Sequence, residues 1–524
     1  GLEERARMPP RRYWALIALI LIVTLVRIAN THLTFAQTLD EPVHVGAGHE
    51  WLTKGYYHLD FQHPPLPRVL FALPFLKVQT AHPTHPSEYG NDLYAHRDRY
   101  IHNVAAARRG NLLFVIVAGL ALAASARKLF GEAAACIALL LFMSLPPVLA
   151  HGGLATTDMP AVAGFALAFH ALLLWSERPS WTRSILLGAA IAFGISCKYS
   201  FVVFFPVAML IVLIARRRLA PARLLAAALV AFVVTWAAFG FSFRTMAESN
   251  PQALDIARAA GVPDRWSHVK MPAADLLTGL VMVRFHNRLG HSAYLLGRVS
   301  DSGWWHYFPV ALAVKTPIPY LLLALAGAWL LVKRRHRDAF LIAVAAAILL
   351  IAMSSRINIG IRHILPIYVP LSLMAAYAVV ELWRRKRAVT LALGGALVWM
   401  VLSSALAHPD YLPWMNAFAG KHPERVLLDS NFDWGQDIWR LARICRERGI
   451  TSLEYAVVTS IRPGSIGITG GHPLSEDTPT RGWIVLSEQN LELARVKNPK
   501  AYAWLERHER FERVGKTLRL YRLE

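Results

Sequence analysis

The chain has 524 residues, 55% of them hydrophobic, and a mean hydropathy of +0.36. A soluble protein of this length could not bury so much apolar surface, so the composition excludes an ordinary water-soluble domain. The formal net charge is +22, but most of the surplus basic residues stand beside apolar blocks, where lipid headgroups account for them. We therefore expect a membrane protein whose partners include membrane lipid and no nucleic acid.

Eleven apolar blocks give the chain the pattern of an all-α polytopic membrane protein. A helix of about 20 residues crosses a hydrocarbon core of roughly 30 Å, and most blocks approach that length, although the fifth and sixth are short. About 11 transmembrane helices are predicted, at residues 13–28, 111–126, 132–149, 161–175, 184–196, 201–215, 224–241, 308–332, 339–353, 364–383 and 388–407.

The basic residues beside these blocks predict the orientation of the chain. If the blocks alternate in direction, five basic clusters share one side of the membrane, which the positive-inside rule assigns to the cytoplasm. The N-terminus is then cytoplasmic, and the first block is a retained helix because no small-residue cleavage site follows it. The residues before Met8 are interpreted as foreign to the protein. The clusters are Arg11-Arg12, Arg127-Lys128, Arg216-Arg217-Arg218, Lys333-Arg334-Arg335 and Arg384-Arg385-Lys386-Arg387.

Three long polar segments lie on the outer side in this topology, so any chemistry is expected there. They are residues 31–104, residues 242–306 and the tail after Ala407. The first segment contains two amphipathic stretches, 42–54 and 66–77, which are expected to lie along the membrane interface.

The tail differs from the rest of the chain because it mixes short strand patterns with one helical pattern. We predict two domains, a transmembrane domain over residues 1–407 and a small extracytoplasmic α/β domain over residues 408–524. In the tail, strands are predicted at 425–428, 453–458, 483–486 and 517–521, and a helix at 435–448.

Three acidic residues stand where helices meet the outer side. Asp40 and Glu41 are adjacent after the first helix, and Asp158 begins the fourth. A catalytic reading is that a carboxylate made more basic by a neighbouring charge and partial desolvation accepts a proton. A structural reading is that Asp40 and Asp158 cap helices whose first turns contain proline. Convergence of the three acids on one membrane face favours function, because carboxylates there are costly to desolvate.

Positive residues also stand at outer helix ends. Arg108 precedes the second helix, Lys198 lies in the short connection between the fifth and sixth, and Arg362 and His363 precede the tenth. Each cation could contact a lipid phosphate or could extend to the headgroups for purely structural reasons. Both interpretations stay open at this point.

The first outer segment contains nine histidines, which raises the question of a metal site. They include His44, His49, His58 and His63, but none has a ligand spacing, and His44 and His49, five residues apart, would not share a helical face. The chain has no glycine-rich nucleotide motif, and its three distant cysteines predict neither a disulfide nor a zinc site. We expect no catalytic metal.

Five short motifs follow one another along the chain: Leu39-Asp40-Glu41, His63-Pro64-Pro65-Leu66, Arg108, Ala155-Thr156-Thr157-Asp158-Met159-Pro160 and Lys198-Tyr199. In order and in placement against the helices, this set resembles the GT-C protein O-mannosyltransferase-like superfamily, whose aminoarabinose transferase branch acts on lipid A. The likeness runs from the N-terminus through the last helix.

Later stretches, at 303–309, 315–317, 360–366 and 429–437, resemble a bacterial subgroup of the same superfamily whose substrates are poorly defined. The chain lacks an obvious counterpart of the β-trefoil insertion of eukaryotic protein mannosyltransferases, and its tail is a distinct module. Both differences argue against protein mannosylation.

The resemblance implies an inverting glycosyltransferase that moves a sugar from a polyprenyl phosphate donor to a hydroxyl of a lipid, glycan or protein. The reaction would occur at the outer face of the bacterial inner membrane without a required cofactor, since fixed cations replace a divalent metal. The resemblance places the catalytic base at Asp40, with Glu41 beside it and Asp158 as the second acid. It implies donor-phosphate contacts at Arg108, Lys198 and Arg362. We also predict a donor-phosphate contact at His363 and substrate contacts at His63, Arg284 and Lys315, of which Arg284 lies in the second outer segment that could close the cleft.

Two other functions fit a chain with many helices: a transporter or flippase of lipid-linked or small solutes, and an inactive membrane scaffold. Transporters tend to hold charges near the bilayer midplane within repeats, whereas these acids stand at outer helix ends and no repeat is evident. The intact acids also argue against a scaffold. In the tail, the run Asp433-Trp434-Gly435-Gln436-Asp437 could bind a sugar, but a turn followed by a helix start is the simpler interpretation.

Overall fold

The computed structural model describes residues 8–57, 59–80, 85–250, 252–383, 385–468, 470–508 and 510–524. The residues before Met8, His58 and Arg384, which the sequence analysis named, lie outside these ranges. The helices are α1 (Pro10–Thr31), α2 (Glu41–Lys54), α3 (Pro65–Ala72), α4 (Pro86–Ala95), α5 (Tyr100–Phe130), α6 (Glu132–Met143), α7 (Pro146–Gly152), α8 (Asp158–Glu177), α9 (Trp181–Cys197), α10 (Phe201–Arg216), α11 (Pro221–Ala238), α12 (Met246–Ser249), α13 (Ala253–Ala259), α14 (Asp264–Ser267), α15 (Ala274–Leu289), α16 (Tyr307–Lys315), α17 (Ile318–Lys333), α18 (Phe340–Met353), α19 (Tyr368–Leu382), α20 (Arg387–Leu406), α21 (Ile438–Glu447), α22 (Glu488–Lys497) and α23 (Ala503–Glu506). The strands are β1 (Phe243–Arg244), β2 (Met271–Pro272), β3 (Ala293–Leu295), β4 (Arg298–Ser300), β5 (Ser452–Ala456), β6 (Gly470–Pro473), β7 (Gly482–Ser487), β8 (Glu512–Val514) and β9 (Leu518–Leu523).

The apolar helices make this a multi-pass membrane protein. Among the described residues, six helices are long and apolar enough to cross a membrane, and two bent helix pairs bring the number to eight. Helices α9, α10 and α18, of 17, 16 and 14 residues, are apolar but shorter. All eleven predicted blocks fall within these elements. The membrane character is therefore confirmed, whereas the number of crossings stays a prediction.

Helices α5 and α8 pack side by side in the membrane bundle, and their contact is among its most extensive. Helix α8 also packs on α9, and a side chain at Gly164 would lie only 2.6 Å from the Cα atom of Gly194. Small residues bring helix backbones close together in membranes, where the hydrophobic effect does not drive helices against one another. This close packing fixes the N-terminus of α8, which carries Asp158.

The first outer segment forms a layer of short helices above this bundle. The two predicted amphipathic stretches become α2 and the pair made of α3 and a 3₁₀ turn at Leu73–Phe75. Helix α2 packs on both α3 and α4. A side chain at Gly48 would collide with the backbone carbonyl of Arg68, so the glycine allows α2 and α3 to pack closely.

The tail contains a five-stranded sheet in the order β6-β5-β7-β9-β8. Strands β6, β5 and β7 are parallel, and β9 and β8 continue the sheet antiparallel. The strand predicted at 425–428 is wrong, because a 3₁₀ turn occupies Pro423–Arg425 and Leu427 makes only an isolated bridge to Leu295. Contact with the β3–β4 hairpin holds this segment away from the sheet.

Candidate active site

Glu41 and Arg108 form a completely buried ion pair. The guanidinium of Arg108 donates from Nε to Glu41 Oε1 at 2.8 Å and from a terminal nitrogen to Oε2 at 2.7 Å. Its remaining N–H groups donate to the backbone carbonyls of His32, Phe35 and Ala36. Arg108 is therefore saturated within the protein and has no N–H group free for a donor phosphate.

The same Glu41 carboxylate ties two chain segments together. It accepts hydrogen bonds from the backbone N–H groups of Thr38, at 2.7 Å, and Ala155, at 2.8 Å. Thr38 lies in the turn before α2, and Ala155 lies just before α8. Because both segments attach to one carboxylate, the Glu41–Arg108 pair sets the distance between Asp40 and Asp158.

Asp40 and Asp158 meet around two cations in what we call the acid–cation cluster: Asp40, Asp158, Lys198 and Arg362. Arg362 donates to Asp40 at 2.8 Å and lies 3.8 Å from Asp158. Lys198 donates to the other oxygen of Asp158 at 2.5 Å. The four residues alternate in charge, so the cluster is close to neutral overall.

Neither acid of the cluster is used as a helix cap. Asp40 occupies the N-cap position of α2, yet its side chain makes no cap hydrogen bond and points to Arg362. Asp158 is the first residue of α8, after Thr157, and its carboxylate turns to Lys198 and to the hydroxyl of Thr156. The capping interpretation of these two residues is therefore wrong.

The four residues of the acid–cation cluster differ in how far their side chains are exposed. The side chain of Asp40 is 38% exposed, whereas that of Asp158 is only 1% exposed. Lys198 and Arg362 expose less than a tenth of their side chains. Of the three predicted acids, Asp40 is the one that a second molecule can reach.

Histidines line the neighbouring surface of the first outer segment. His63 Nδ1 lies 3.2 Å from the hydroxyl of Thr157, and its ring packs edge-on against His44 with centroids 4.9 Å apart. Burial, and after it the neighbouring His44 and Arg68, holds the pKa of His63 well below its usual value. A neutral His63 beside α8 is thus available for hydrogen bonding rather than for charge.

The tail supplies one wall of the cluster. The guanidinium of Arg362 lies over the indole ring of Trp434, 4.4 Å from its centroid, and its Nε donates to the hydroxyl of Ser430 at 3.1 Å. Backbone hydrogen bonds run from Leu39 N–H to the Trp434 carbonyl and from Ala36 N–H to the Gln436 carbonyl. The tail therefore holds both Arg362 and the turn that carries Asp40.

Sequence reasoning did not predict that Ser430 and Trp434 contact Arg362. The resemblance singled out residues 429–437, but the simpler interpretation of 433–437 was a turn before a helix. The turn does exist, since α21 begins at Ile438. Trp434 is nevertheless only 2% exposed, and its ring packs against the guanidinium of Arg362. The run of polar and aromatic residues at 429–437 was the signal available in the sequence.

The remaining predicted residues differ in their surroundings. All three N–H donors of Lys315 go to backbone carbonyls, of Leu412, Trp414 and Asn431, so the structure uses this residue to fix the tail to α16. Arg284 is exposed on α15. His363 follows Arg362, and its Nε2 atom is buried without a hydrogen-bond partner among the described residues. Substrate contacts by these residues stay predictions.

No group of three or more His, Cys, Asp or Glu side chains in the described part of the chain is arranged to hold a metal ion. The donor set of the cluster fits that finding, because Lys198 and Arg362 already occupy the sides of Asp158 and Asp40 that a metal would need. Independence from a divalent metal stays a prediction.

An apolar groove begins beside the cluster. Helices α9, α10, α11 and α15 enclose a cavity of about 490 Å³ whose lining includes Ile195, Ala273 and Leu276. Ile195 is three residues before Lys198, and Tyr199 packs with Ala273 and Leu276. The groove therefore lies next to the chain segment that carries Lys198.

Known proteins share this architecture. Residues 101–239, from α5 to the end of α11, match the family model described as dolichyl-phosphate-mannose-protein mannosyltransferase. The crystal structure of ArnT from Cupriavidus metallidurans bound to undecaprenyl phosphate is 14% identical, with a TM-score of 0.50 over 96% of this chain and 97% of that chain. The chain therefore shares the GT-C fold of these proteins.

Two further comparisons describe how distant these GT-C relatives are. The apo state of the same ArnT is 16% identical, with a TM-score of 0.52 over 86% of this chain and 74% of that chain. The apo oligosaccharyltransferase of Archaeoglobus fulgidus is 13% identical, with a TM-score of 0.47 over 90% and 62%, which is too distant to carry an argument. No curated protein sequence matches the chain. At these identities the solved structures establish the GT-C fold alone.

Proposed function

We propose that the chain is an inverting GT-C glycosyltransferase that transfers a sugar from a polyprenyl phosphate to a hydroxyl of a lipid, glycan or protein. The observation that carries the proposal is the accessible carboxylate of Asp40 beside the cations Arg362 and Lys198. The family match to mannosyltransferases that use a lipid phosphate sugar supports it, and so does the undecaprenyl phosphate bound by ArnT. We place the reaction at the outer face of a bacterial inner membrane, with the N-terminus cytoplasmic.

Asp40 is the proposed general base. Its exposed carboxylate would accept the proton of the acceptor hydroxyl while the acceptor oxygen attacks the anomeric carbon. The bond from that carbon to the phosphate oxygen breaks on the opposite face, so the configuration inverts in one step. Asp158 suits this role poorly, because burial and the hydrogen bond from Lys198 leave it inaccessible.

Lys198 and Arg362 are the proposed stabilisers of the leaving group. A polyprenyl phosphate sugar carries one negative charge on its phosphodiester, and the departing phosphate monoester gains a second. Cations already fixed in place stabilise such developing charge without reorganisation, and charge-assisted hydrogen bonds to phosphate are strong. When the donor binds, its phosphate would compete with Asp40 for Arg362, which leaves Asp40 free to act as base.

The apolar groove between α9, α10, α11 and α15 is the proposed site of the polyprenyl chain. Its lining is almost wholly apolar, and it begins beside Lys198. A carrier lipid with its phosphate at Lys198 could therefore continue into this groove. Membrane lipid is then both the solvent of the enzyme and the source of its donor.

The experiment compares the wild type with Asp40→Asn, after reconstitution of the full chain into nanodiscs with radiolabelled polyprenyl phosphate sugars and a membrane extract. The readout is the release of carrier phosphate together with the labelled product. Asp40→Asn should lower the rate by about 10² to 10⁴ fold, the usual contribution of a general base. Asp301→Asn is the matched control, because Asp301 is an exposed acid outside the cluster, and it should keep the wild-type rate.

The outcomes separate the enzyme from its rivals. Full transfer by Asp40→Asn would show that another group is the base. If the wild type releases no carrier phosphate from any donor, the proposal of a transferase fails, and solute and lipid flux across vesicles then tests transport. Identification of the labelled product names the acceptor.

A further inference from the structure

A second cavity lies at the N-terminal end of α5, and none of the residues of the acid–cation cluster lines it. We call it the cationic pocket; its volume is about 460 Å³. It opens between the end of the 3₁₀ turn Leu73–Phe75, the turn before α5 and the first three turns of α5. Its lining residues are Pro74, Phe75, Lys77, Val78, His96, Arg97, Arg99, His102, Asn103, Ala106 and Arg109.

The pocket gathers four permanent cations and no acid. Lys77, Arg97, Arg99 and Arg109 are all exposed, and none of them forms an ion pair within the described part of the chain. Asp98 lies in the same turn but does not line the pocket. Like charges on one surface repel one another, so a bound anion would lower the electrostatic energy of this arrangement.

Arg108 and Arg109 show that the pocket is separate from the proposed active site. Successive residues of a helix point about 100° apart. Arg108 points inward and is saturated by Glu41 and backbone carbonyls, whereas Arg109 points outward into the pocket. One helix therefore presents adjacent arginines to two different environments.

The depth of Arg109 in the membrane matches that of a lipid headgroup. No charged residue lies on α5 between Arg109 and Arg127. At about 1.5 Å per residue, that interval spans roughly 27 Å, close to the thickness of the hydrocarbon core. Since Arg127 belongs to the basic clusters at one edge of the membrane, Arg109 marks the opposite edge.

Apolar side chains flank the pocket. Leu73 and Leu76 are 47% and 48% exposed, on the segment that also supplies Pro74 and Lys77 to the lining. Exposed leucines beside exposed cations are the pattern of a surface that contacts both acyl chains and headgroups. The positive-inside rule disfavours such a concentration of cations at the edge opposite the basic clusters, so a local reason is needed.

The backbone that supplies two of the cations is held in an unusual shape. Arg97 and Asp98 both have positive φ angles, 56° and 51°, in the left-handed region that side chains disfavour. The amide of Asn103 holds this turn by donating to the carbonyls of Tyr94 and His96 at 2.9 Å. Backbone strain that is held in place by neighbouring groups often marks a binding site.

We propose that the cationic pocket binds the phosphate-bearing headgroup of a membrane lipid, at a site distinct from the acid–cation cluster. Its cations match phosphate, its depth matches the headgroup layer and its leucines match the acyl chains. The proposal does not depend on glycosyl transfer, because it rests on none of the residues of the acid–cation cluster.

The test uses the full chain in detergent micelles and a fluorescent phosphatidic acid as the probe. A phosphatidylcholine analogue with the same chains and inorganic phosphate are the comparison ligands. The pocket variant is Arg97→Gln/Arg109→Gln, and the matched control is Lys421→Gln/Arg443→Gln, two exposed cations of the tail. Since a cation near the headgroups contributes about 1 kcal/mol, the pocket variant should bind phosphatidic acid about 10 to 30 fold more weakly, and the control should not change.

Three results would overturn the proposal. The first is a pocket variant that binds phosphatidic acid as tightly as the wild type. The second is loss of the probe in Lys198→Gln but not in the pocket variant, since the lipid would then occupy the acid–cation cluster. The third is inorganic phosphate that binds as tightly as phosphatidic acid, which would make the ligand a free anion. If Arg97→Gln/Arg109→Gln does not fold, Lys77→Gln/Arg99→Gln asks the same question.

Discussion

Two neighbouring carboxylates, Glu41 and Asp40, use arginine in opposite ways. Glu41 and Arg108 are both fully buried, and every N–H group of Arg108 has a partner within the chain. Asp40 shares Arg362 with Asp158 and leaves more than a third of its side chain exposed. The first pair is closed to other molecules, and the second is open to them.

The difference teaches that an ion pair at a membrane face does not by itself mark a binding site. A buried pair whose hydrogen bonds are all satisfied positions the backbone, and its removal is costly because a charge is left without a partner. A partly exposed pair exchanges partners when an anion arrives. In the proposed active site, Glu41 and Arg108 would therefore act by positioning the backbone, and Asp40 and Arg362 by contact with the substrates.

Breaking the closed pair should produce the largest loss of stability. Arg108→Met leaves the carboxylate of Glu41 buried without a cation and removes the donors to three backbone carbonyls. We expect a loss of about 3 to 5 kcal/mol, the usual cost of breaking a buried pair on one side. Thermal unfolding of the purified chain measures it.

The neighbouring Arg109→Met is the stability control for that variant, because Arg109 is exposed and makes no ion pair among the described residues. It should unfold within about 0.5 kcal/mol of the wild type, as exposed substitutions usually do. Adding Glu41→Gln to Arg108→Met should recover part of the loss, since the amide oxygen still accepts from Ala155. Equal unfolding of Arg108→Met and Arg109→Met would contradict the closed role of the pair.

A double substitution in the acid–cation cluster should separate the effect on stability from the effect on transfer. Lys198→Gln leaves Asp158 buried with a more distant cation, Arg362, at 3.8 Å. We expect stability to fall and transfer to drop about 10² to 10³ fold, as for loss of a preorganised group that stabilises developing charge. Asp158→Asn in the same chain should restore stability, because the unpaired charge is gone, but not transfer.

Unfolding midpoints and initial transfer rates of the two single variants and the double variant provide this comparison. Recovery of both quantities in Lys198→Gln/Asp158→Asn would mean that Lys198 serves only to neutralise Asp158. Recovery of stability alone would assign Lys198 to the donor phosphate.

Much of the helical architecture could be predicted from the sequence, because apolar blocks of membrane length are a strong signal. The gathering of Asp40, Asp158, Lys198 and Arg362 was also predicted, from their places at outer helix ends and from the resemblance. The different roles of Glu41 and Asp40 could not be predicted. Both are acidic and adjacent in the sequence, and only the folded chain decides which arginine each one contacts. The burial of Lys315 against the tail could not be predicted either, because its three carbonyl partners lie about 100 residues or more away in the sequence.

The wall supplied by the tail was missed for the same physical reason. Trp434 lies 72 residues after Arg362 in the chain, and only the folded tail brings the indole under the guanidinium. A run of polar and aromatic residues has many local interpretations. Long-range contacts alone decide among them.

Trp434 offers a finer test of the open pair. Trp434→Leu removes the aromatic face beneath Arg362 and should weaken its orientation by about 0.5 to 2 kcal/mol, the range of cation–π contacts. That corresponds to a fall of about 2 to 30 fold in transfer rate. Trp434→Phe should recover much of the rate because it keeps a ring, which a purely space-filling role would not require. Closely similar rates for the Leu and Phe variants would contradict a cation–π role.

Asp433 extends the comparison to a buried carboxyl that forms no ion pair within the described part of the chain. Its Oδ1 accepts from the N–H of Gly435, and burial, followed by the neighbouring carboxylate of Asp437, raises its pKa to about 8. The ordinary pKa of an aspartate is about 4, so folding takes up a proton between pH 4 and pH 8. The stability contributed by protonated Asp433 is complete below pH 4 and is lost as pH rises through about 8.

Asp433→Asn carries no titratable proton and should flatten the decline of the unfolding midpoint between pH 5 and pH 8, whereas Asp301→Asn should keep the wild-type slope. A wild-type midpoint that rises over this range, with the same rise in Asp433→Asn, would show that Asp433 is ionised in the folded protein.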